Sequence, residues 1–101
     1  MEHLLLRVQS SFALTGLGVL LLPEQPEPAL LAYHLHTSLS VWLLPPNGPP
    51  QQATASVEEV TRPTQDGVPA VTRALLLTHD GAAPLPVGTV VRQAADNHIF
   101  M

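Results

Sequence analysis

The sequence predicts an all-β fold, either a sandwich or a barrel. Apolar and polar residues alternate in several segments, and these segments recur about every ten residues, as short antiparallel strands do. Clusters of proline, glycine and asparagine separate them, and no segment keeps a helical period. A closed barrel would also hide the edges of the sheet. Proteins often protect exposed edges with lysine side chains, and this chain has no lysine. We expect one domain over residues 1–101, with a tail over 94–101.

The first two predicted strands flank a pair of glycines. Residues 4–14 alternate with a period of two, which predicts a half-buried strand. The residues expected on its core face are Leu4, Leu6, Val8, Phe12 and Leu14. Gly16 and Gly18 interrupt this pattern, and glycine at such a place indicates a bend or a bulge. Residues 19–22 are predicted as the second strand, apolar on both faces.

Prolines end the second strand and precede the third. Pro23, Pro26 and Pro28 lack the N–H that a sheet ladder needs, so the chain must turn there. Alternation returns over residues 33–44 and predicts a third strand. The residues expected on its core face are Tyr33, Leu35, Leu39, Val41 and Leu43. Residues 29–36 could instead form a short helix that Pro28 opens at its first position, so both structures remain open for this segment.

Three further strands complete the set of six. A proline-rich loop over residues 45–50 has Asn47 and Gly48 at its centre, which supply the backbone angles that a reversing turn needs. The strands predicted after this loop cover residues 52–60, 71–78 and 87–93. Further proline, glycine and aspartate residues separate these strands, as expected for turns.

The composition excludes several classes of function. The chain has no cysteine, so disulfides, thiolate metal sites and cysteine nucleophiles are excluded. Its four basic residues are scattered arginines and its net charge is -4, which argues against nucleic acid and anionic membranes as partners. The apolar run over residues 12–22 is interrupted and shorter than the roughly 20 residues that span a bilayer. We therefore expect a cytoplasmic protein.

Four short motifs follow one another in a set order. They are Phe12-x-Leu14-x-Gly16-x-Gly18, Ala55-x-Val57-Glu58, Ala74-Leu75-Leu76-Leu77 and Pro86-x-Gly88-Thr89-Val90. As an ordered set over roughly residues 3–93, they resemble domain 2 of elongation factor Tu and the wider translation-factor β-barrel family. The resemblance implies a six-stranded antiparallel Greek-key β-barrel. It also implies structural roles for Gly16 and Gly18 as a bend and for Gly88 as the point where the chain rejoins the sheet.

The departures from that family concern its activity. Leu17 stands where the family usually has an arginine between the two glycines, and Thr37-Ser38 replaces its usual Gly-Asp pair. A phosphate-binding loop needs a lysine, and this chain has none. The resemblance therefore implies a fold, and neither GTPase activity nor recognition of aminoacyl-tRNA is carried over to any residue.

One pair of histidines is a candidate metal site. His34 and His36 are two residues apart, so on a strand both side chains would point to the same face. The pair is similar to the His-x-His of cupins, but residues 37–44 contain no carboxylate to follow it. We therefore expect no metal and no cofactor, and a metal-binding small barrel remains an alternative.

No motif predicts catalysis. His79 and Asp80 are neighbours at a predicted turn, where an aspartate usually bonds to its own backbone. Sequence neighbours on a strand point to opposite faces, so this pair does not form an oriented base. The serines lack the strand-turn-helix context of a nucleophile elbow. We expect that the protein is not an enzyme.

These observations favour a non-catalytic module that binds a protein partner or itself. The candidate contact residues are Trp42, on the polar side of its strand, Leu5, and Phe100 in the apolar tail. Absence of catalytic motifs and a sparse charged surface carry this hypothesis. A translation-associated factor that binds tRNA or the ribosome is a second alternative, against which the negative charge argues.

Overall fold

The computed structural model describes residues 3–94, which form six strands and one short helix. The elements are β1 (Leu4–Leu14), β2 (Gly18–Pro23), α1 (Pro28–Leu31), β3 (Ser38–Leu44), β4 (Gln51–Arg62), β5 (Ala70–Leu77) and β6 (Val90–Gln93). All strand pairs are antiparallel and belong to one sheet, so the predicted all-β fold with six antiparallel strands is confirmed. None of the helical residues in this range forms a segment that could cross a bilayer.

The strands pair in a cyclic order. The order is β1-β2-β5-β4-β3-β6, and β6 pairs in turn with β1, so the sheet closes on itself. The long strand β1 makes this closure possible, because its first part pairs with β6 and its second part with β2. Two connections, from β2 to β3 and from β5 to β6, pass between strands that are not neighbours.

Two bulges in β1 change which of its residues face inward. Leu4 lies opposite Arg92 and Leu6 opposite Val91, so Leu5 is an extra residue, and both Leu5 and Leu6 are fully buried. A second register shift lies between Val8 and Ser10. A one-residue insertion reverses the alternation of everything beyond it. Leu6 and Val8 lie between the two bulges and both are fully buried, so the expectation for these two residues is confirmed.

The same bulges place two predicted core residues outside. Phe12 was expected in the core, and this is wrong: its side chain is 49% exposed. Leu4, on the other side of the first bulge, is also exposed, at 41%. Ser11 occupies the inward position next to Phe12, opposite the buried Leu21.

The core consists of leucine, valine and alanine side chains from all six strands and from α1. Its buried members are Leu5, Leu6, Val8, Val19, Leu21, Leu30, Leu39, Val41, Leu43, Ala55, Val57, Leu75, Leu77 and Val91. The alternation predicted for β3 is confirmed at Leu39, Val41 and Leu43.

The segment before β3 differs from the strand predicted there. Residues 33–37 are not a strand, and the alternative helix is present in the shorter form Pro28–Leu31, with Pro28 at its first turn. The consecutive apolar residues of α1 direct Leu30 into the core while Leu31 stays 67% exposed. Tyr33 and Leu35 therefore do not continue the inward row of β3; Tyr33 packs against the core only partly, and Leu35 is exposed.

The last strand is shorter than predicted because a turn occupies its expected beginning. Residues 87–88 form this turn, with Gly88 at φ 90°, and β6 begins at Val90. The amide of Gly88 donates to the carbonyl of Val8 at 2.8 Å, and the amide of Val8 donates to the carbonyl of Thr89 at 2.8 Å. The buried Thr89 hydroxyl donates to the carbonyl of Pro86 at 2.7 Å. These bonds hold the chain against β1 where it rejoins the sheet.

Candidate functional site

The two candidate metal-ligating histidines do not lie on a strand. His34 and His36 belong to the turn before β3, and His36 has a left-handed backbone with φ 70°. The amide of His36 donates to the carbonyl of Val57 at 2.6 Å, and the amide of Val57 donates to the carbonyl of Thr37 at 2.9 Å. This exchange fixes the turn against β4. The strand that would place the two imidazoles on one face is therefore absent from this segment.

His36 instead joins a small polar network on β4. Its Nδ1 lies 2.9 Å from Oε1 of Glu58, and the hydroxyl of Ser56 donates to Oε2 of the same carboxylate at 2.7 Å. Serine and histidine both contact the carboxylate, so this is not the serine–histidine–acid order that activates a nucleophile. Across residues 3–94, no three histidine or acidic side chains come together as a metal site would require. The network anchors a turn.

His79 and Asp80 likewise form no oriented base. Nδ1 of His79 is buried and has no hydrogen-bond partner in the described part of the chain, so Asp80 does not hold it. The carbonyl of His79 accepts the amide of Ala82 at 3.2 Å, which makes this segment a turn, as the sequence indicates.

One cavity lies at the end of the sheet where the turn at His79 meets the proline-rich loop. Its volume is about 390 Å³, and its lining combines Pro45, Pro46, His79, Pro84 and Pro86 with their neighbours. No charged side chain lines it. It has the apolar walls of a ligand site. Nδ1 of His79, the buried side-chain atom without a hydrogen-bond partner among residues 3–94, is shielded from any occupant.

The predicted contact residues divide into three cases. Trp42 lies on the outer face of β3, half-buried between Gln52 and Arg92 of the neighbouring strands. Leu5 is fully buried by the first bulge, so it has no surface to offer a partner and that part of the prediction is wrong. Phe100 lies outside the described residues. Trp42 alone stays a candidate on the described surface.

An apolar row that simple alternation does not predict crosses the outer face of three strands. Phe12 of β1 lies directly opposite Leu20 of β2, and Leu20 lies directly opposite Leu76 of β5. Val19, Leu75 and Leu77, the sequence neighbours of Leu20 and Leu76, are buried, so Leu20 and Leu76 point outward. Phe12 is 49% exposed and lies on the same face. We call Phe12, Leu20 and Leu76 the outer apolar row. Only the bulge beyond Val8 reveals it, because simple alternation assigns Phe12 to the core.

A groove between α1 and β5 is the second feature with no signal in the sequence. Pro26, Pro28 and Leu31 form one side, and Val71 and Arg73 of β5 contribute to the other. Its volume is about 230 Å³. It exists because α1 packs beside β5, a contact between residues about forty positions apart that no local pattern predicts.

Comparisons with protein-family models, with curated proteins and with solved structures find no match to this chain.

Proposed function

We propose that this chain is a small non-catalytic protein-interaction module, built on a Greek-key barrel of the translation-factor type. The cyclic pairing of six antiparallel strands supports the barrel. The left-handed backbone of Gly16, Gly18 and Gly88, with φ of 80°, 138° and 90°, supports the roles that the resemblance implies for them. A cytoplasmic location and the absence of catalysis stay predictions from the sequence.

The outer apolar row is the observation that carries this proposal. Phe12 is half exposed, although burying a phenylalanine side chain completely is worth about 1.5–3 kcal/mol. Covering its exposed half would contribute about 1 kcal/mol, and Leu20 and Leu76 extend the same surface. A cluster of this kind around an aromatic side chain is typical of the centre of a protein interface.

The closed sheet limits how a partner can use this row. At Phe12, Leu20 and Leu76, the ladders of β1 with β2 and of β2 with β5 are formed, so β2 has a neighbour on both sides. A partner therefore cannot insert a strand there and must pack side chains against side chains. Shape and apolar area, rather than backbone hydrogen bonds, determine what binds.

The surroundings of the row favour a protein partner. The cross-strand positions on either side are Ser10 with Leu22 and Leu14 with Gly18, and all four are uncharged. Nucleic acid needs clustered basic side chains, and none lies in these positions. The tRNA- or ribosome-binding alternative therefore gains no support from this surface. The metal-binding alternative assumed that His34 and His36 lie on one strand, and they lie in a turn instead.

A matched pair of substitutions tests the proposal. Phe12→Ser removes the centre of the row, and Val87→Ser removes a similarly exposed apolar side chain (66%) from a turn elsewhere. We expect wild type and V87S, but not F12S, to form the same complex, either a dimer in sedimentation equilibrium or a stoichiometric assembly recovered from the native host.

The expected loss is at least about tenfold in affinity, equivalent to about 1.4 kcal/mol. Circular dichroism verifies that both variants fold. A wild-type chain that stays monomeric at high concentration and recovers no Phe12-dependent partner would refute the proposal.

A further inference from the structure

One stretch of β5 has a strand neighbour on only one side. β5 pairs with β4 along its whole length, from Ala70 opposite Arg62 to Leu77 opposite Ala55. β2 meets β5 only at Leu75, Leu76 and Leu77. Within residues 3–94, the segment 70–74 therefore leaves one edge without a paired strand. At about 3.3 Å per residue, this open edge is roughly 16 Å long.

The sequence explains why the pairing of β2 stops. β2 ends at Pro23, which has no N–H to donate, and the chain then turns through Pro26 and Pro28 into α1. The space where β2 would have continued lies beside the edge of β5. The groove between α1 and β5 borders this part of the strand, and Glu59 of β4 also contributes to its lining.

Exposed apolar side chains line part of the groove. Leu31 of α1 is 67% exposed and Val71 of β5 is 61% exposed, and both line it. Natural sheet edges are commonly protected by lysine, proline or an inward charge. Ala70, Val71, Thr72 and Ala74 provide none of these, and Arg73, the one charged residue of the segment, is held by Glu59 and Tyr33. This edge therefore keeps room for another strand.

The charges around the groove are unbalanced. Arg73 is already engaged, because its Nε lies 3.6 Å from Glu59 and its Nη1 donates to the carbonyl of Tyr33 at 2.8 Å. Glu27 also lines the groove, half-buried, and no cation of the described residues pairs with it. A ligand that placed one positive charge beside Glu27 would give this carboxylate the ion-pair partner that it lacks among the described residues.

We propose that this groove binds an extended peptide, which adds a strand to the open edge of β5 and places an arginine or lysine side chain against Glu27. Main-chain hydrogen bonds to residues 70–74 supply affinity, and alternate side chains that reach Leu31 and Val71 supply specificity. The inference rests on the proposed role as an interaction module, and its surface is separate from the outer apolar row.

A second copy of this chain suits the groove less well than a basic peptide. The chain has no lysine, and the arginine nearest its own open edge, Arg73, is held by Glu59 and Tyr33. Edge-to-edge pairing of two copies through β5 would therefore bring no free cation to Glu27. Self-association through this edge is an outcome of the test that would contradict the proposal.

The first experiment measures binding to an array of capped octapeptides in which valine and threonine alternate and one central position is arginine, glutamine or glutamate. The full-length protein is the analyte. We expect the arginine series to bind at least about fivefold more tightly than the glutamate series, consistent with one partly exposed ion pair. Glu27→Gln should abolish this preference while leaving the glutamine series unchanged.

Substitutions on the protein locate the site. Val71→Asp and Leu31→Ser alter exposed side chains, so both variants should fold, and each should weaken binding at least about tenfold. Phe12→Ser should leave peptide binding unchanged, which separates failure of this inference from failure of the proposed function. Unaltered binding by V71D and L31S, or no binding by any array member, would overturn the inference.

N-methylation of the peptide tests strand addition itself. In an antiparallel ladder, alternate residues of the added strand bond to the edge. One set of alternating N-methyl groups should therefore abolish binding of the best arginine peptide, and the complementary set should leave it nearly unchanged. Equal effects of the two sets would show docking without strand addition and contradict the proposal, as would a dimer that depends on Val71.

Discussion

At the scale of the residue, Gly18 is the glycine with the least room for a side chain. Its φ is 138°, and a Cβ added there would lie 1.9 Å from the carbonyl oxygen of Leu77. The close approach follows from the ladder of β2 with β5, in which the next residue, Val19, lies opposite Leu77. Gly16 also has a positive φ, of 80°, but nothing lies within 4 Å of its Cβ position. Gly18 is therefore required by its close approach to β5, whereas Gly16 is favoured only by its backbone angle.

Gly18→Ala should destabilise the fold far more than Gly16→Ala. Gly16→Ala meets only the left-handed backbone, at a cost of about 1–2 kcal/mol. Gly18→Ala adds a clash with backbone of β5, so we expect about 3 kcal/mol or more. Urea unfolding followed by fluorescence of Trp42, the single tryptophan, measures both values. Equal losses in the two variants would show that the approach to Leu77 is not a constraint.

At the scale of the element, β1 determines which surfaces the protein presents. Its bulges bury Leu5 beside Leu6 and turn Phe12 outward. The residue that then faces inward, Ser11, is polar, and its hydroxyl has a defined use. It donates to the carbonyl of Leu85 at 3.0 Å and accepts the amide of Leu85 at 2.7 Å. One side chain thus fastens the connection between β5 and β6 to β1.

Ser11→Ala should release this connection. Two hydrogen bonds are lost and a partly buried amide loses its acceptor, so we expect a cost of roughly 1–3 kcal/mol. Hydrogen exchange at the amide of Leu85 should accelerate, while the ladder of β2 with β5 keeps its protection. Ser10→Ala, on the opposite face of β1, is the control and should change stability by less than about 0.5 kcal/mol. Unchanged exchange at Leu85 in S11A would contradict this role.

At the scale of the whole molecule, the closed sheet leaves few places for a partner. Strands with neighbours on both sides offer only side chains, as in the outer apolar row. The edge of β5 is open only where Pro23 ends β2, beside α1. The helix α1 contributes to both the core and the groove, because Leu30 is buried in the core and Leu31 lines the groove. The same four residues thus close the interior and shape an exterior site.

Leu30→Ala and Leu31→Ala should separate these two tasks. Removing the fully buried Leu30 side chain should cost about 2–5 kcal/mol, from lost burial and the cavity left behind. Removing the exposed Leu31 side chain should change stability by less than about 0.5 kcal/mol and should weaken peptide binding. Urea midpoints of the two variants measure the difference. A large loss of stability in L31A would show that α1 packs otherwise than described.

Much of the fold could be predicted because it depends on local patterns. Alternation placed β1 at Leu4–Leu14 and the inward row of Leu39, Val41 and Leu43, and prolines and glycines placed the turns. The resemblance to translation-factor barrels stays a prediction. Local patterns could not predict the polar network of His36 or the outward position of Phe12. His36 meets Glu58, twenty-two positions away, and Phe12 is turned by a bulge that exists only in register with β2.

By itself, the sequence determined the all-β class, the position of most strands and the exclusion of cysteine chemistry. These properties follow from side-chain period, from the conformational limits of proline and glycine, and from composition. Only the tertiary structure decided which residues form the surface. A bulge changes the facing of every residue beyond it, and the end of one ladder opens the edge of another strand. Both depend on the partner strand, and a single strand's sequence does not specify its partner's register.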